Sequence, residues 1–214
     1  LSNLGNVLKE LGRLDESEQS LRQAIAVKAD YAEAHNNLGN TLAELGRLEL
    51  AEASYKQAIV LKSDFVEAHN NLGNICRKLG KLEQSEASLR QATVLKDDYF
   101  EAHSNLGVTL KELGRLEESE ASLRQALAVK PDHAEVHSNL GITLKELGRY
   151  DEAETNLRQA IVLKPDFAEA QNNLGNTLQE LGRLDEAEAS YKRAIALQPD
   201  YAEAHHSLSF TLVK

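Results

Sequence analysis

A step of 34 residues runs through the chain of 214 residues. A glycine after leucine recurs at this step six times, and so do a second glycine and an aspartate. The three series are Gly5, Gly39, Gly73, Gly107, Gly141 and Gly175; Gly12, Gly46, Gly80, Gly114, Gly148 and Gly182; and Asp30, Asp64, Asp98, Asp132, Asp166 and Asp200. Such a period is typical of a linear array in which each unit contacts its neighbours. We therefore expect no compact multilayer domain.

The first half of each period has the pattern of a helix. In residues 30–46, apolar residues including Leu38 recur at helical spacing, which predicts a helix with one apolar face. Asp30 with Glu33 three residues later predicts a capping box at the start of this helix. Gly46 suits the left-handed conformation that ends a helix.

A second helix is predicted to begin near Glu49 and to bury Ala51 and Tyr55. On its outer side Glu52 precedes Lys56 by four residues, which is the favourable order for an ion pair along a helix. The same pair recurs as Glu18–Arg22, Glu86–Arg90, Glu120–Arg124, Glu154–Arg158 and Glu188–Lys192. We interpret these pairs as a solvated face.

Together these residues resemble the tetratricopeptide repeat, a 34-residue unit of two helices. One unit reads His35, Leu38, Gly39, Leu42, Ala51, Tyr55, Ala58 and Ser63, and another reads Gln171, Leu174, Gly175, Leu178, Ala187, Tyr191, Ala194 and Pro199. The resemblance covers essentially the whole chain. It implies an all-α fold of tandem helix-turn-helix repeats stacked into a right-handed superhelical solenoid.

The repeat boundaries follow from the period. We expect a single array over residues 1–214. It is divided into a truncated first repeat at 1–31, full repeats at 32–65, 66–99, 100–133, 134–167 and 168–201, and a lone C-terminal helix at 202–214. The sequence contains no methionine and begins at Leu1, so we expect it to be a segment of a longer protein.

Charge and composition narrow the range of partners. The net charge of −10 disfavours binding to nucleic acid or to anionic membranes, because both need a surplus of Lys and Arg. No apolar run approaches 18 residues, so we expect no membrane span. The one cysteine, Cys76, excludes an intrachain disulfide and leaves the compartment open, although we favour the cytoplasm.

No catalytic or metal site is predicted, and neither is a cofactor. The carboxylates fall mostly at repeating positions, whereas an active site is normally single. Histidines occur once per repeat at His35, His69, His103 and His137, so neighbouring imidazoles should lie roughly 10 Å apart. Metal–His bonds of about 2 Å cannot bridge that distance. We expect Cys76 to fill the apolar core.

A row of asparagines is the candidate binding feature. The residue before each leucine-glycine pair is Asn3, Asn37, Asn71, Asn105, Asn139 and Asn173, with Ser207 at the last position. An Asn amide offers both a donor and an acceptor, as a peptide group does. Rungs roughly 9–10 Å apart would match about three residues of an extended chain.

This row resembles the asparagine ladder in the superhelical repeats of O-linked N-acetylglucosamine transferases, which holds protein substrates by their backbone. The resemblance implies that Asn37, Asn71, Asn105, Asn139 and Asn173, together with Asn3, line a concave groove. The catalytic part of those enzymes is absent from the sequence. The competing interpretation is that the asparagines bond only to neighbouring helices.

A second position beside the row varies. It is Asn6, Asn40, Asn74 and Asn176 in four units but Val108 and Ile142 in the middle units. Two neighbouring apolar residues on a polar groove could seat an apolar side chain of a partner. Drift at a tolerant position explains the change equally well.

We therefore predict a non-catalytic module that binds a protein or an extended peptide in its groove. One alternative is the substrate-recruiting arm of a fused enzyme such as a glycosyltransferase. Another is a scaffold that self-associates head to tail through an exposed apolar surface on the last helix at Leu208, Phe210 and Leu212.

Overall fold

The computed structural model describes residues 1–212 as α-helices joined by short turns, with no strand in that part of the chain. The helices are α1 (Ser2–Glu10), α2 (Leu14–Val27), α3 (Ala32–Glu44), α4 (Leu48–Leu61), α5 (Val66–Lys78), α6 (Leu82–Leu95), α7 (Phe100–Glu112), α8 (Leu116–Val129), α9 (Ala134–Glu146), α10 (Tyr150–Leu163), α11 (Ala168–Glu180), α12 (Leu184–Leu197) and α13 (Ala202–Leu212). The predicted alternation of a first and a second helix in each period is confirmed.

The turn inside each repeat depends on the second glycine series. Gly46 has a φ of +73°, and its N–H donates to the carbonyl of Ala43. The next N–H, of Arg47, donates to the carbonyl of Leu42 at 2.8 Å. These bonds satisfy carbonyls at the end of α3, and the left-handed backbone costs a glycine little. The predicted helix stop at Gly46 is confirmed.

The predicted capping box is wrong. Helix α3 begins at Ala32 with Tyr31 as its N-cap, and no side chain caps the helix. Asp30 lies in the turn, one residue too early to reach the orphan N–H groups of the first helical turn. The Lys28 ammonium instead lies 5.2 Å from the centre of the Tyr31 ring, within reach of a cation–π interaction.

Residues Leu1–Thr109 form the first of two compact units. In this unit each first helix packs on the second helix of its own repeat, and α2 and α4 also pack on the next first helix. The core cluster includes Leu21, Leu38, Tyr55, Leu72 and Cys76. Cys76 is 1% exposed, which confirms its predicted role as an apolar filler.

Residues Leu110–Lys214 form the second unit, described here to residue 212. Its helix pairs α9–α10 and α11–α12 repeat the packing of the first unit, and α13 packs on α12. Leu208 packs against the cluster that contains Leu174 and Tyr191, so the expectation that it is an exposed docking residue is wrong. Phe210 is 54% exposed, whereas the Leu212 side chain lies outside the described residues.

The first glycine series sets the approach of the paired helices. A Cβ added to Gly39 would lie 2.5 Å from the Tyr55 ring, and one added to Gly73 would lie 2.5 Å from Leu89. Such contacts are impossible without displacement of the side chain. Each of these glycines therefore receives one large residue of the second helix directly on its backbone.

All six predicted ion pairs are present on the second helices. Their glutamates are less solvated than expected: the side chain of Glu52 is 8% exposed. Glu52 contacts Lys56 one turn later and also Lys81 of the next second helix, both at 2.6 Å. The same two-sided contact occurs at Glu18, Glu120 and Glu154. These carboxylates therefore link consecutive repeats.

Within residues 1–212 no helix is both long enough and apolar enough to cross a membrane.

Replacing Gly39 by leucine should overpack the contact with Tyr55. We expect the free energy of unfolding to fall by about 1–3 kcal/mol or more, measured by urea denaturation. Leucine is a good helix former, so intrinsic helix propensity predicts the opposite sign. Ala26→Leu at an exposed position of α2 is the matched control. Equal stability of the two variants would show that the approach at Gly39 is not tight.

Glu52 should make stability depend on pH. The hydrogen bonds from Lys56 and then from Lys81 hold the pKa of its carboxyl below the ordinary value of 4.5. The folded state thus binds the proton more weakly than the unfolded state. The stabilisation is present above about pH 4.5 and is lost as pH falls through the folded pKa.

We therefore expect Glu52→Gln to lower the Tm at about pH 7 and to weaken its further fall towards about pH 3. Glu188→Gln is the control, because among the described residues Glu188 contacts only Lys192 and its side chain is 29% exposed. The hypothesis fails if both variants keep the acid dependence of the original chain.

Candidate functional site

The asparagine row occupies one register of the first helices. Asn37, Asn71, Asn105, Asn139 and Asn173 lie on α3, α5, α7, α9 and α11 and are half-buried, whereas Asn3 on α1 is exposed. We call these residues the rungs. In four of them the backbone carbonyl accepts a hydrogen bond from a threonine one turn later, which fixes the helix at this register. The donors are Thr41, Thr109, Thr143 and Thr177.

Two rungs of the first unit bond to the preceding first helix. The Asn71 amide nitrogen donates to Oδ1 of Asn36 at 3.1 Å and to Oδ1 of Asn40 at 3.2 Å. The Asn105 amide nitrogen donates to Oδ1 of Asn70 at 3.0 Å. Asn36 and Asn70 are only 6% and 7% exposed, so these bonds lie below the groove surface. The amide nitrogens of these rungs thus serve the fold.

The carbonyl oxygens of the same rungs are not used in this way. Within the described part of the chain, Oδ1 of Asn71 and Oδ1 of Asn105 accept no hydrogen bond, and neither atom is buried. The amide planes are therefore held by one side while the acceptor on the other side remains accessible to solvent.

The residue at the variable position beside the rungs bonds to the second helix where that helix carries a tyrosine. Tyr55 donates its hydroxyl to Oδ1 of Asn40 at 2.8 Å, and Tyr191 donates to Oδ1 of Asn176 at 2.9 Å. Burial raises the pKa of Tyr191 to about 12, so its hydroxyl remains a donor at neutral pH.

Repeats without this tyrosine have no hydroxyl to satisfy. Leu157 fills the corresponding place against Gly141, and the variable residue of that repeat is Ile142. Asn74, which also belongs to a repeat with a leucine, accepts instead from the Arg77 guanidinium at 3.4 Å. Val108 likewise belongs to a repeat with a leucine, Leu123. Val108 and Ile142 therefore both stand in repeats without the tyrosine, although Asn6 and Asn74 show that such repeats also carry asparagine.

Asn173, one of the two rungs of the second unit, lacks these partners. Asn173 corresponds to Asn71, but the acceptors that would correspond to Asn36 and Asn40 are Ser138 and Ile142. Nδ2 of Asn173 and Oγ of Ser138 are buried and make no hydrogen bond with any described residue. The same is true of Oδ1 of Asn172, which is 5% exposed as a residue. Such atoms are rare because each costs about 1–3 kcal/mol.

A groove of about 620 Å³ is lined by Asn172 and Asn173, two of these three residues with unsatisfied atoms. It is formed by α11 and α13 with one residue of α9, and its lining residues are Ile142, Glu169, Asn172, Asn173, Asn176, Tyr201, Ala202, Glu203, His206 and Ser207. Three of the predicted site residues, Ile142, Asn173 and Asn176, thus meet in one groove. We call it the α11–α13 groove.

The rim of the α11–α13 groove is acidic. Glu169 and Glu203 are exposed, and no cation of residues 1–212 pairs with either. At the same register in an earlier repeat, Glu135 contacts Lys164 at 3.1 Å. Gln198 stands where Glu169 would find that lysine.

The carboxylates of the rim also act on a tyrosine in the groove. Burial raises the pKa of Tyr201, and the nearby Glu169 and Glu203 raise it further. The net direction is upward, so the Tyr201 hydroxyl is neutral near pH 7 and adds no charge to the groove.

The histidines have a structural role that the sequence did not indicate. In His35, His69, His103, His137 and His205 the ring Nε2 lies within hydrogen-bond distance of a carbonyl in the preceding turn, for example His69 with Ser63 at 2.9 Å and His103 with Asp97 at 2.8 Å. The repeated partners are six residues upstream. Within the described residues, no group of three or more His, Cys, Asp or Glu could hold a metal ion.

The repeats match the model of a known protein family. A family model described as the cilia and flagella-associated protein 70 C-terminal domain matches residues 3–209. No curated protein matches the sequence.

Several solved structures share the fold. The first is YrrB, described as a TPR protein with an unusual peptide-binding site. It is 23% identical with a TM-score of 0.74, and the match covers 90% of this chain and 99% of that one. The second is Pseudomonas aeruginosa PilF. It is 18% identical with a TM-score of 0.85, and the match covers 100% of this chain and 96% of that one.

The third is the APC/C hetero-tetramer Cut9–Hcn1, 18% identical with a TM-score of 0.83 over 98% of this chain and 41% of that one. At such identities these matches show the fold alone. They confirm the predicted all-α array of stacked tetratricopeptide hairpins.

The bond between Tyr55 and Asn40 should appear in a double-mutant cycle. Tyr55→Phe should cost about 0.5–1.5 kcal/mol, and Asn40→Val should cost more because it leaves the buried hydroxyl unpaired. When Tyr55→Phe is already present, Asn40→Val should cost about 1 kcal/mol less, since a repeat without the hydroxyl tolerates an apolar residue there.

Urea denaturation measures all four proteins. The control is Tyr31→Phe, at a half-buried N-cap position. Additive effects of the two changes within about 0.3 kcal/mol would contradict the assigned coupling.

Proposed function

The chain belongs to the family of the cilia and flagella-associated protein 70 C-terminal domain, and from this premise we propose that it is a protein–protein interaction module. Its ligand is an extended protein segment that lies along the rung face of the first helices. The rungs bind the ligand backbone rather than its side chains.

One observation carries the proposal. The Asn71 and Asn105 amides are fixed through their N–H groups, while their carbonyl oxygens stay accessible and unbonded among the described residues. A fixed acceptor loses little conformational entropy when it receives a hydrogen bond, which favours binding. The donor that a polypeptide supplies at every residue except proline is its backbone N–H.

The observation also limits how the rungs act. Asn71 has both of its N–H groups engaged, so it has only its acceptor to offer and can hold a ligand N–H but not a ligand carbonyl. Asn105 has one N–H engaged and also keeps its acceptor. The row binds polypeptide with little dependence on sequence, because the N–H group is common to nearly all residues.

YrrB provides a parallel that supports the proposal, since that protein is described as having a peptide-binding site on the same fold. The APC/C structure Cut9–Hcn1 is likewise an assembly of protein subunits. The acidic composition agrees with a protein ligand rather than a nucleic acid.

The test uses peptides of about twelve residues, long enough to meet about four rungs, the number in the first unit. A random library displayed on phage yields binders, which are then labelled with fluorescein and titrated by fluorescence polarisation. We expect the triple variant Asn37→Ala, Asn71→Ala and Asn105→Ala to weaken binding about tenfold or more, at about 0.5–1.5 kcal/mol per lost hydrogen bond.

The matched control is the pair Asn36→Ala and Asn70→Ala. It removes the acceptors below Asn71 and Asn105 but keeps both rung carbonyls, so the Tm should fall, while the affinity should fall by less than in the rung variant because only the fixing of the amides is lost. N-methylation of alternate peptide residues should abolish binding, because it removes the backbone donors. If the rung variant lost stability but bound the peptides unchanged, the row would be purely structural.

A further inference from the structure

We propose that the α11–α13 groove binds a segment of extended polypeptide that carries a lysine or arginine, and that this groove is where ligand selectivity lies. The inference rests on the proposed function, to which it adds the groove that selects the ligand and the charge of the ligand side chain. It comes from the interruption of the asparagine network between α9 and α11, together with the acidic rim.

Two breaks in the network leave one donor and one acceptor unsatisfied on adjacent residues. Ser138 and Ile142 stand in place of the acceptors for Asn173, and Ser207 on α13 stands in place of the asparagine that would donate to Asn172. Nδ2 of Asn173 needs an acceptor and Oδ1 of Asn172 needs a donor. At the equivalent places of the first unit, Asn71 donates to Asn36, and Oδ1 of Asn70 accepts from Asn105. A peptide group carries one acceptor and one donor, so a bound backbone supplies both missing partners once the two buried amides turn towards the groove.

The Asn173 amide is also easier to reorient than Asn71. A turn of the Asn71 side chain breaks two hydrogen bonds, to Asn36 and Asn40. A turn of Asn173 breaks none with the described residues, and its terminal amide torsion is intrinsically broad. Asn173 is therefore a rung that can present both its donor and its acceptor to a ligand in the groove.

The charge of the ligand follows from the rim. Glu169 and Glu203 line the groove without a cationic partner in the described chain, and Gln198 replaces the lysine that Glu135 uses. Two neighbouring carboxylates favour a cationic side chain and disfavour an acidic one. Ile142 borders the same groove and offers an apolar contact to the methylene stem of a lysine or arginine.

Charge selectivity is tested with two fluorescein-labelled pools of random peptides, identical except for a fixed central lysine or a fixed central glutamate. We expect the lysine pool to bind more tightly. The variant Glu169→Gln with Glu203→Gln should weaken the lysine pool about fivefold or more and leave the glutamate pool nearly unchanged. Both glutamates are exposed, so the fold should survive.

The control Glu33→Gln with Glu67→Gln removes the same net charge at the same register of the first unit, where both residues are also exposed. It should change the affinity of the lysine pool less than twofold. Equal losses in the two variants would mean that the net charge of the chain attracts the peptide, and the assignment to the α11–α13 groove would fall.

The role of the interrupted network in binding is tested by restoring a missing acceptor. Ser138→Asn installs the counterpart of Asn36, which accepts from Asn71 in the first unit, so the Asn173 amide should become bonded while Ile142 keeps its apolar contact. We expect the affinity for the lysine pool to fall about tenfold with no loss of helicity by circular dichroism. The matched control is Asn36→Ser, which opens one contact below Asn71 and should not weaken binding of the lysine pool.

The outcomes separate the two proposals. Unchanged binding by both groove variants, with binding lost in the rung variant, would overturn this inference and leave the proposed function standing. Failure of both peptide pools to bind the original chain would overturn both. Tighter binding of the glutamate pool would overturn the charge assignment.

Discussion

The contact between the first-helix glycine and one large residue of the second helix is the constraint on which the rest of the structure depends. No Cβ fits at Gly39 or Gly175, because a tyrosine ring occupies its place, and a leucine does the same at Gly73 and Gly141. The choice between tyrosine and leucine then decides the polarity of the next layer. A tyrosine brings a buried hydroxyl that needs an acceptor, which Asn40 and Asn176 provide. A leucine brings none, so Ile142 is tolerated at the same register.

The hydrogen bonds of the rungs depend on whether a tyrosine or a leucine packs on the first-helix glycine. Asn40 accepts from Tyr55 and from the next rung, so it couples the packing of one repeat to the amide of the following repeat. Where Ile142 replaces the asparagine and Ser138 is too short to reach, the amide nitrogen of Asn173 has no partner among the described residues. Unsatisfied buried groups cost stability, and natural proteins commonly retain such defects where they serve binding. The row thus contains rungs whose amides bond to other residues of the fold, such as Asn71 and Asn105, and one rung, Asn173, whose amide nitrogen has no partner among the described residues.

The glutamates of the first and the second helices differ in their ion pairs. On the second helices, nearly buried glutamates such as Glu52 contact cations of their own helix and of the next repeat. They use their charge to join neighbours. On the first helices, Glu169 and Glu203 are exposed and have no such partner in the described chain, and for Glu169 the reason is that Gln198 interrupts the lysine series. These two carboxylates are therefore available to a partner.

The sequence by itself determined the period, the two helices of each repeat, the left-handed glycine turns, the six ion pairs and the buried role of Cys76. These features depend on spacing and on residue type, which a one-dimensional pattern records. It also located the asparagine row, but not what each amide bonds to. That depends on which side chains of different helices come within about 3 Å, a relation between residues 15 to 35 positions apart that only the packed structure decides. The misplaced cap at Asp30 has a similar origin. A helix start one residue later changes every capping contact, and the position of that start is not recorded in the residue pattern alone.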